Sequence, residues 1–132
     1  MTHGASKFEV TKWDEKPYYE KEGEPKLTRA SVEKTFHGDI EGKSSLEYVM
    51  AYAPNGMTSF VGIEHVQGRL GKRSGSFVIQ HNGTDDGQEA TGVWHVVQGS
   101  GTGELAGLRG QGQFKAARNE PNYSFEMDYD FV

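Results

Sequence analysis

The chain has 132 residues, a formal net charge of −5 and no cysteine, which fits a single domain with a real core and excludes disulfide frameworks and thiolate metal sites. Acidic and basic residues are mixed along it, so no concentrated basic face is expected and no nucleic-acid partner. The opening MTHGASKFEV has no basic region followed by an apolar stretch, and no apolar run approaches the roughly 18 residues of a membrane span, so the expected location is cytoplasmic with no membrane partner.

Period-two alternation recurs along the chain, and helical periodicity is hard to find. KFEVTKW (7–13) reads as the first strand. DEKPYYEKEGEPK (14–26) is charged, carries two prolines and reads as a long loop. Such a loop is either a solvated connection or a functional lid, here one bearing Tyr18 and Tyr19. LTRASVEKTF (27–36) is the second strand, ended by a turn at HGD (37–39). In LEYVMAY (46–52) the residues Leu46, Tyr48, Met50 and Tyr52 share one face.

The APNG turn at 53–56 then sets a register. Pro54, Asn55 and Gly56 suit a type I turn with a G1 bulge, because a two-residue turn at Asn55-Gly56 would need an N–H that Pro54 lacks. With the bulge, Tyr52 faces Thr58, Met50 faces Phe60, Tyr48 faces Gly62 and Leu46 faces Glu64. Tyr48, Met50, Tyr52, Phe60 and Val66 then form an apolar face with Glu64 as its only charge. Val49, Val61, Ile63 and His65 lie on the opposite face, where apolar residues fit a homo-oligomer, a dimer or trimer, that buries its outer surface.

Further strands are expected at TSFVGIEHV (58–66), GSFVIQHN (75–82), EATGVWHVV (89–97), RGQGQFKA (109–116) and the C-terminal NYSFEMDYDF. In the last, Tyr123, Phe125, Met127, Tyr129 and Phe131 fall on one face and Ser124, Glu126, Asp128 and Asp130 on the other. Turn chemistry separates the strands at QGRLGKRSG (67–75), NGTDDG (82–87) and RNEPN (118–122). About eight antiparallel strands in so short a chain predict an all-β fold, a single closed eight-stranded antiparallel β-barrel, since closure removes exposed edges.

Between the last strands lies GSGTGELAGLRGQGQF (99–114). A phosphate-binding loop of the GxxxxGK[ST] type needs its lysine and hydroxyl, and none follows these glycines. The dinucleotide fingerprint needs GxGxxG before a helix. Here Gly101, Gly103 and Gly107 are spaced one residue too wide, and RGQGQF follows. The run therefore reads as architecture, with Gly110 and Gly112 sharing a strand face with Phe114 and leaving room for a bulky neighbour or ligand.

This glycine run, together with WDEKPY (13–18), PKLTRASVEKTF (25–36), the TFHGDIEG turn and FVGIEHVQGRLGKRSGSFVIQH (60–81), resembles the bacterial DUF3224 family over nearly the whole chain. The resemblance implies an eight-stranded barrel of allene oxide cyclase-like type, often oligomeric, with an internal cavity. It implies no reaction, because the family is named for having none assigned. The cyclases that share the barrel rearrange a fatty-acid epoxide without a cofactor, and fold likeness alone is a weak warrant for chemistry.

Candidate chemistry is therefore sparse. If the aromatic face points inward, Glu64 is a carboxylate in an apolar cavity, where desolvation would raise its pKa and suit it to acid–base work. Otherwise it lies near a barrel mouth, hydrated or paired with a lysine or arginine. His81 alternates with Phe77 and Ile79, and His95 with Val93 and Val97, each either ligand-lining or hydrogen-bonded within the structure. Trp94 is either core or a stacking surface. Arg109 either binds an anionic head group or pairs with a surface carboxylate. No HxH or HExxH occurs, so no metal is expected, and no cofactor either. The expected function is binding of a small, largely apolar molecule by Tyr48, Met50, Tyr52, Phe60, His81, Trp94 and Arg109. The alternatives are a cofactor-free isomerase or cyclase using Glu64, or a filled, ligand-free scaffold.

Overall fold

The computed structural model describes residues 1–117 and 123–132; the expected turn at 118–122 lies outside them. The strands are β1 (Thr2–Tyr19), β2 (Lys26–Gly38), β3 (Ile40–Tyr52), β4 (Thr58–Leu70), β5 (Arg73–Asp85), β6 (Glu89–Val96), β7 (Leu108–Ala117) and β8 (Tyr123–Phe131). They close in sequence order into one antiparallel barrel. The only helical element among the described residues is a single 3-10 turn, Gly103–Leu105. The turn chemistry that separates eight alternating segments in the sequence thus produces an up-and-down barrel without a sheet crossover.

The β3–β4 hairpin adopts the register that its turn predicts, with Tyr52 opposite Thr58, Tyr48 opposite Gly62 and Leu46 opposite Glu64. Gly56 has φ of 93° and donates its N–H to the Ala53 carbonyl, while Ala53 donates to the carbonyl of Met57. These are the bonds of a bulged type I turn, where glycine alone takes the positive φ without strain.

Inward-facing glycines are paired across the ladder with aromatic residues. Phe60 faces Gly83, Phe114 faces Gly92 and Trp94 faces Gly112, repeating the Tyr48–Gly62 pair. A methyl group on Gly83 would sit 2.4 Å from the Phe60 ring, and one on Gly112 would sit 2.7 Å from Trp94. Each ring therefore lies over a neighbour that has no side chain, which lets a narrow barrel hold four large aromatics. This is the role expected for Gly112, and its neighbour is Trp94.

The charged segment 14–26 is not a long loop. β1 continues to Tyr19 and pairs with β2 as far as Tyr19 opposite Leu27, with an irregularity at Pro17. Only residues 20–25 connect the two strands. A proline and two lysines, Lys12 and Lys16, are compatible with a strand here because, among the described residues, β1 meets β8 only from Thr2 to Phe8. Among the described residues it is hydrogen-bonded beyond Phe8 along one side alone, and such an edge tolerates proline and favours lysine.

The core runs the length of the barrel and is tightest at the end that holds Ile40, Leu70, Leu105 and Leu108, all essentially inaccessible. Val49, Val61 and Ile63 point outward and are exposed, as the alternation requires.

Candidate functional site

Half-way along the barrel the apolar interior is interrupted by four polar side chains, each supplied by the inward face of a different strand. They are Lys34 of β2, Ser44 of β3, Glu64 of β4 and His81 of β5, all buried. Glu64 is the centre. Its Oε2 accepts a 2.5 Å hydrogen bond from the Ser44 hydroxyl, and its Oε1 lies 2.6 Å from His81 Nε2 and 3.5 Å from Lys34 Nζ. The ammonium also stands 4.3 Å from the centre of the Phe8 ring, a cation–π distance.

This environment reverses the expected titration of Glu64. Burial alone would raise its pKa, but the Lys34 ammonium and the hydrogen bonds from His81 and Ser44 outweigh it and hold the carboxyl at about 2. Of the two readings the sequence leaves open, Glu64 takes the interior position of one and the lysine partner of the other, and its pKa is lowered where desolvation alone would raise it. Burial lowers the pKa of Lys34, with Glu64 opposing, and likewise lowers that of His81. His81 is consequently neutral at pH 7. Its Nε2 then carries the proton donated to Glu64, and its Nδ1 is a buried acceptor with no partner.

Above this cluster the barrel opens into a cavity of about 290 Å³. Tyr48, Met50, Phe60 and Phe114 form its walls, Lys34 and Phe8 lie among its deeper residues, and Val10, Trp13 and Tyr123 stand at its rim. Val10 and Trp13 are 38% and 47% exposed despite facing the interior. They belong to the part of β1 that outruns β8, so no strand covers them from that side among the described residues. Trp13 is held by a 2.9 Å bond from its indole N–H to Glu15, and its ring lies 6.0 Å from that of Tyr48. A larger depression of about 690 Å³ lies on the outer face across β5 to β8, edged by His3, Gln80, His95 and Gln111. Its lining mixes polar and apolar side chains, Val93, Trp94 and Met127 among them, and the buried ion pair lies inside the barrel.

The residues singled out in the sequence divide accordingly. Tyr48, Met50 and Phe60 line the cavity. Glu64 and His81 lie sealed beyond it, His81 between the rings of Tyr48 and Phe114. Tyr52 sits outside the lining and hydrogen-bonds Glu15, which also accepts from Thr28 at 2.6 Å. Trp94 is core: it stacks on Phe125 at 4.5 Å, with its indole N–H buried and unpartnered. Arg109 is outside, in a two-pronged pair with Asp130, and His95 is exposed. Among the described residues no cluster of three or more histidines and carboxylates is arranged to hold a metal, and no helix is long and apolar enough to cross a membrane.

Sequence reasoning missed Lys34, Phe8, Trp13 and Phe114. Lys34 carried a usable signal, since Ala30, Val32, Lys34 and Phe36 alternate on one apolar face. A lone cation on one such face and a lone carboxylate on another are complementary.

A family model described as "Protein of unknown function (DUF3224)" matches residues 4–129. The chain belongs to the DUF3224 family. A crystal structure of a DUF3224 protein of unknown function from Shewanella oneidensis MR-1 is similar to it, with 34% sequence identity and a TM-score of 0.81. The match covers all of this chain and 98% of that one. No curated protein matches. Membership in DUF3224 thus accounts for the barrel and leaves the reading of its interior to the geometry.

Proposed function

We propose that this DUF3224 protein binds a small, largely apolar molecule in the cavity at the barrel mouth. The observation that carries this reading is the combination of an aromatic-walled cavity with a rim at which Val10 and Trp13 remain exposed. Folding normally hides a tryptophan and a valine that face the interior, and apolar surface left open in a concavity is the usual mark of a binding site. Its volume, at the lower end of the roughly 300–1,000 Å³ of ligand pockets, selects a compact ligand. Lys34 adds a hydrogen-bond donor at depth, which favours a ligand whose buried end carries an acceptor. Acid–base catalysis by Glu64 is not favoured, because that carboxylate is inaccessible and held ionised.

Native mass spectrometry of the purified protein, paired with denaturing mass measurement, tests the reading, as does titration with 3-phenylpropanol followed by Trp13 emission. The expected result is a saturable emission change that is absent in Trp13→Phe, and blocked in Met50→Trp, whose larger side chain fills the cavity. An apo mass together with no saturable response would leave a filled scaffold as the better description.

A further inference from the structure

Resting on that binding reading, we infer that Lys34 captures the ligand covalently, and that the ligand class is a compact apolar aldehyde held as an imine. Three observations on one group lead there. Lys34 lies at the depth of an apolar cavity, its ammonium has Glu64 as its only ion-pair partner among the described residues, and the Phe8 ring covers one side of it.

Charge decides which polar group the ligand brings. Lys34 and Glu64 cancel, and His81 is neutral, so the buried cluster carries no net charge. A carboxylate ligand would leave one uncompensated negative charge in an apolar interior, which is strongly unfavourable. An aldehyde enters neutral, and its protonated imine keeps the single positive charge that Glu64 already balances at 3.5 Å. The electrostatics of the cluster are the same before and after reaction.

The step balances without any co-reactant. The ammonium first gives up a proton, and the nitrogen lone pair attacks the carbonyl carbon while the C=O π pair moves to oxygen. A second N–H proton then leaves nitrogen, the oxygen departs as water carrying both protons, and the nitrogen lone pair closes the C=N bond. In sum, the ammonium and the aldehyde give an iminium ion and one water, which leaves past the exposed rim residues Val10 and Trp13. Burial lowers the pKa of Lys34, with Glu64 opposing, so the first proton leaves more readily than it would from the same amine in water, as for desolvated lysines in general. The other lysines are exposed or half-buried. With no cysteine in the chain, no thiol competes for the aldehyde.

The experiment uses 3-phenylpropanal with sodium cyanoborohydride at pH 7, and 3-phenylpropanol as a partner of the same shape that cannot form an imine. Intact mass and peptide mapping of the wild-type protein are the readouts, so no variant is needed to locate the adduct. The expected result is one reduced adduct per chain on Lys34, formed at least tenfold faster than on any other lysine and slowed by excess alcohol. Lys34→Met/Glu64→Gln, which removes both charges together, should lose that adduct. Saturable alcohol binding with adducts spread over the surface lysines, or with none, overturns the covalent inference and leaves the binding reading intact. Failure of the alcohol to bind overturns the binding reading itself.

Discussion

The two ends of this barrel meet the same difficulty and resolve it differently. At the end that carries the β2–β3 and β4–β5 turns, β5 outruns β6, whose pairing stops at Ile79 opposite Val96. The glycine-rich stretch fills that gap. Val97 donates to the Val78 carbonyl, Thr102 to the carbonyl of Ser76, and the hydroxyls of Ser100 and Thr102 accept from the N–H groups of Val78 and Ser76. Leu105 is thereby pressed into the barrel end with no residual exposure. Gly75 permits the approach, since a methyl group there would lie 2.0 Å from the Thr102 carbonyl oxygen. At the other end β1 outruns β8, nothing among the described residues covers it, and a cavity results. One end satisfies its backbone and is sealed; the other leaves apolar side chains in the open, which is how a stable scaffold presents a binding concavity.

The sharpest way to break that contrast lies between the ends, at the charge pair beneath the cavity. Glu64→Gln leaves the Lys34 ammonium buried without a counter-charge, and the expected loss of folding stability is about 3–5 kcal/mol by denaturant titration. Lys34→Met/Glu64→Gln should recover most of it, because an amide retains hydrogen-bonding partners in His81 and Ser44 while both charges disappear. A double variant as unstable as the single one would mean that the cluster stabilises the barrel through more than charge balance.

At the sealed end, Leu105→Ala removes a fully buried side chain and should cost about 2–5 kcal/mol. Gly75→Ala should act on the same seam by forcing its backbone apart, at about 1–3 kcal/mol, and hydrogen exchange at Ser76 and Val78 should rise selectively. If exchange rose equally at the mouth, the two ends would not be separable units of stability.

How much of this was legible in the sequence follows from the range of each interaction. The β3–β4 register could be read because a local turn sets it, and the eight strands because alternation is a property of neighbours. The Lys34–Glu64 pair could not, since its members sit on β2 and β4 with β3 between them, and only barrel closure and strand tilt bring them within 3.5 Å. The same lack of a cross-barrel partner made Glu64 look like a carboxylate with a raised pKa. The overhang of β1 was hidden by its composition: charges and a proline suit a loop and a one-sided strand equally well. The site thus lay where long-range contacts decide the chemistry.

Acid sharpens the comparison further. Below pH 6.5 the unfolded chain protonates its histidines while buried His81, with a depressed pKa, stays neutral, so stability falls as pH drops through that value. A second loss follows from Glu64, whose contribution is complete above its ordinary value of 4.5 and disappears as pH falls towards about 2. Stability measured from pH 7 to 3 should therefore decline in two stages. His81→Gln, which keeps an amide donor for Glu64 but does not titrate, should reduce the decline between pH 7 and 5 and leave the lower stage in place.

The smallest effect on stability is expected at the mouth, and it separates the two ends most clearly. Trp13 has the largest side chain on the rim, yet it is 47% exposed and belongs to the stretch of β1 that, among the described residues, pairs with β2 alone. Trp13→Ala removes little buried surface, so stability should change by about 0.5 kcal/mol or less, the scale of surface substitutions. The same change takes an aromatic wall from the cavity, and a lost aromatic contact of about 1.4 kcal/mol corresponds to tenfold weaker binding of 3-phenylpropanol. Isothermal titration calorimetry, which does not depend on the deleted fluorophore, reads this directly. A large stability loss with unchanged affinity would place Trp13 in the fold, and the open end would then be held together much as the sealed one is.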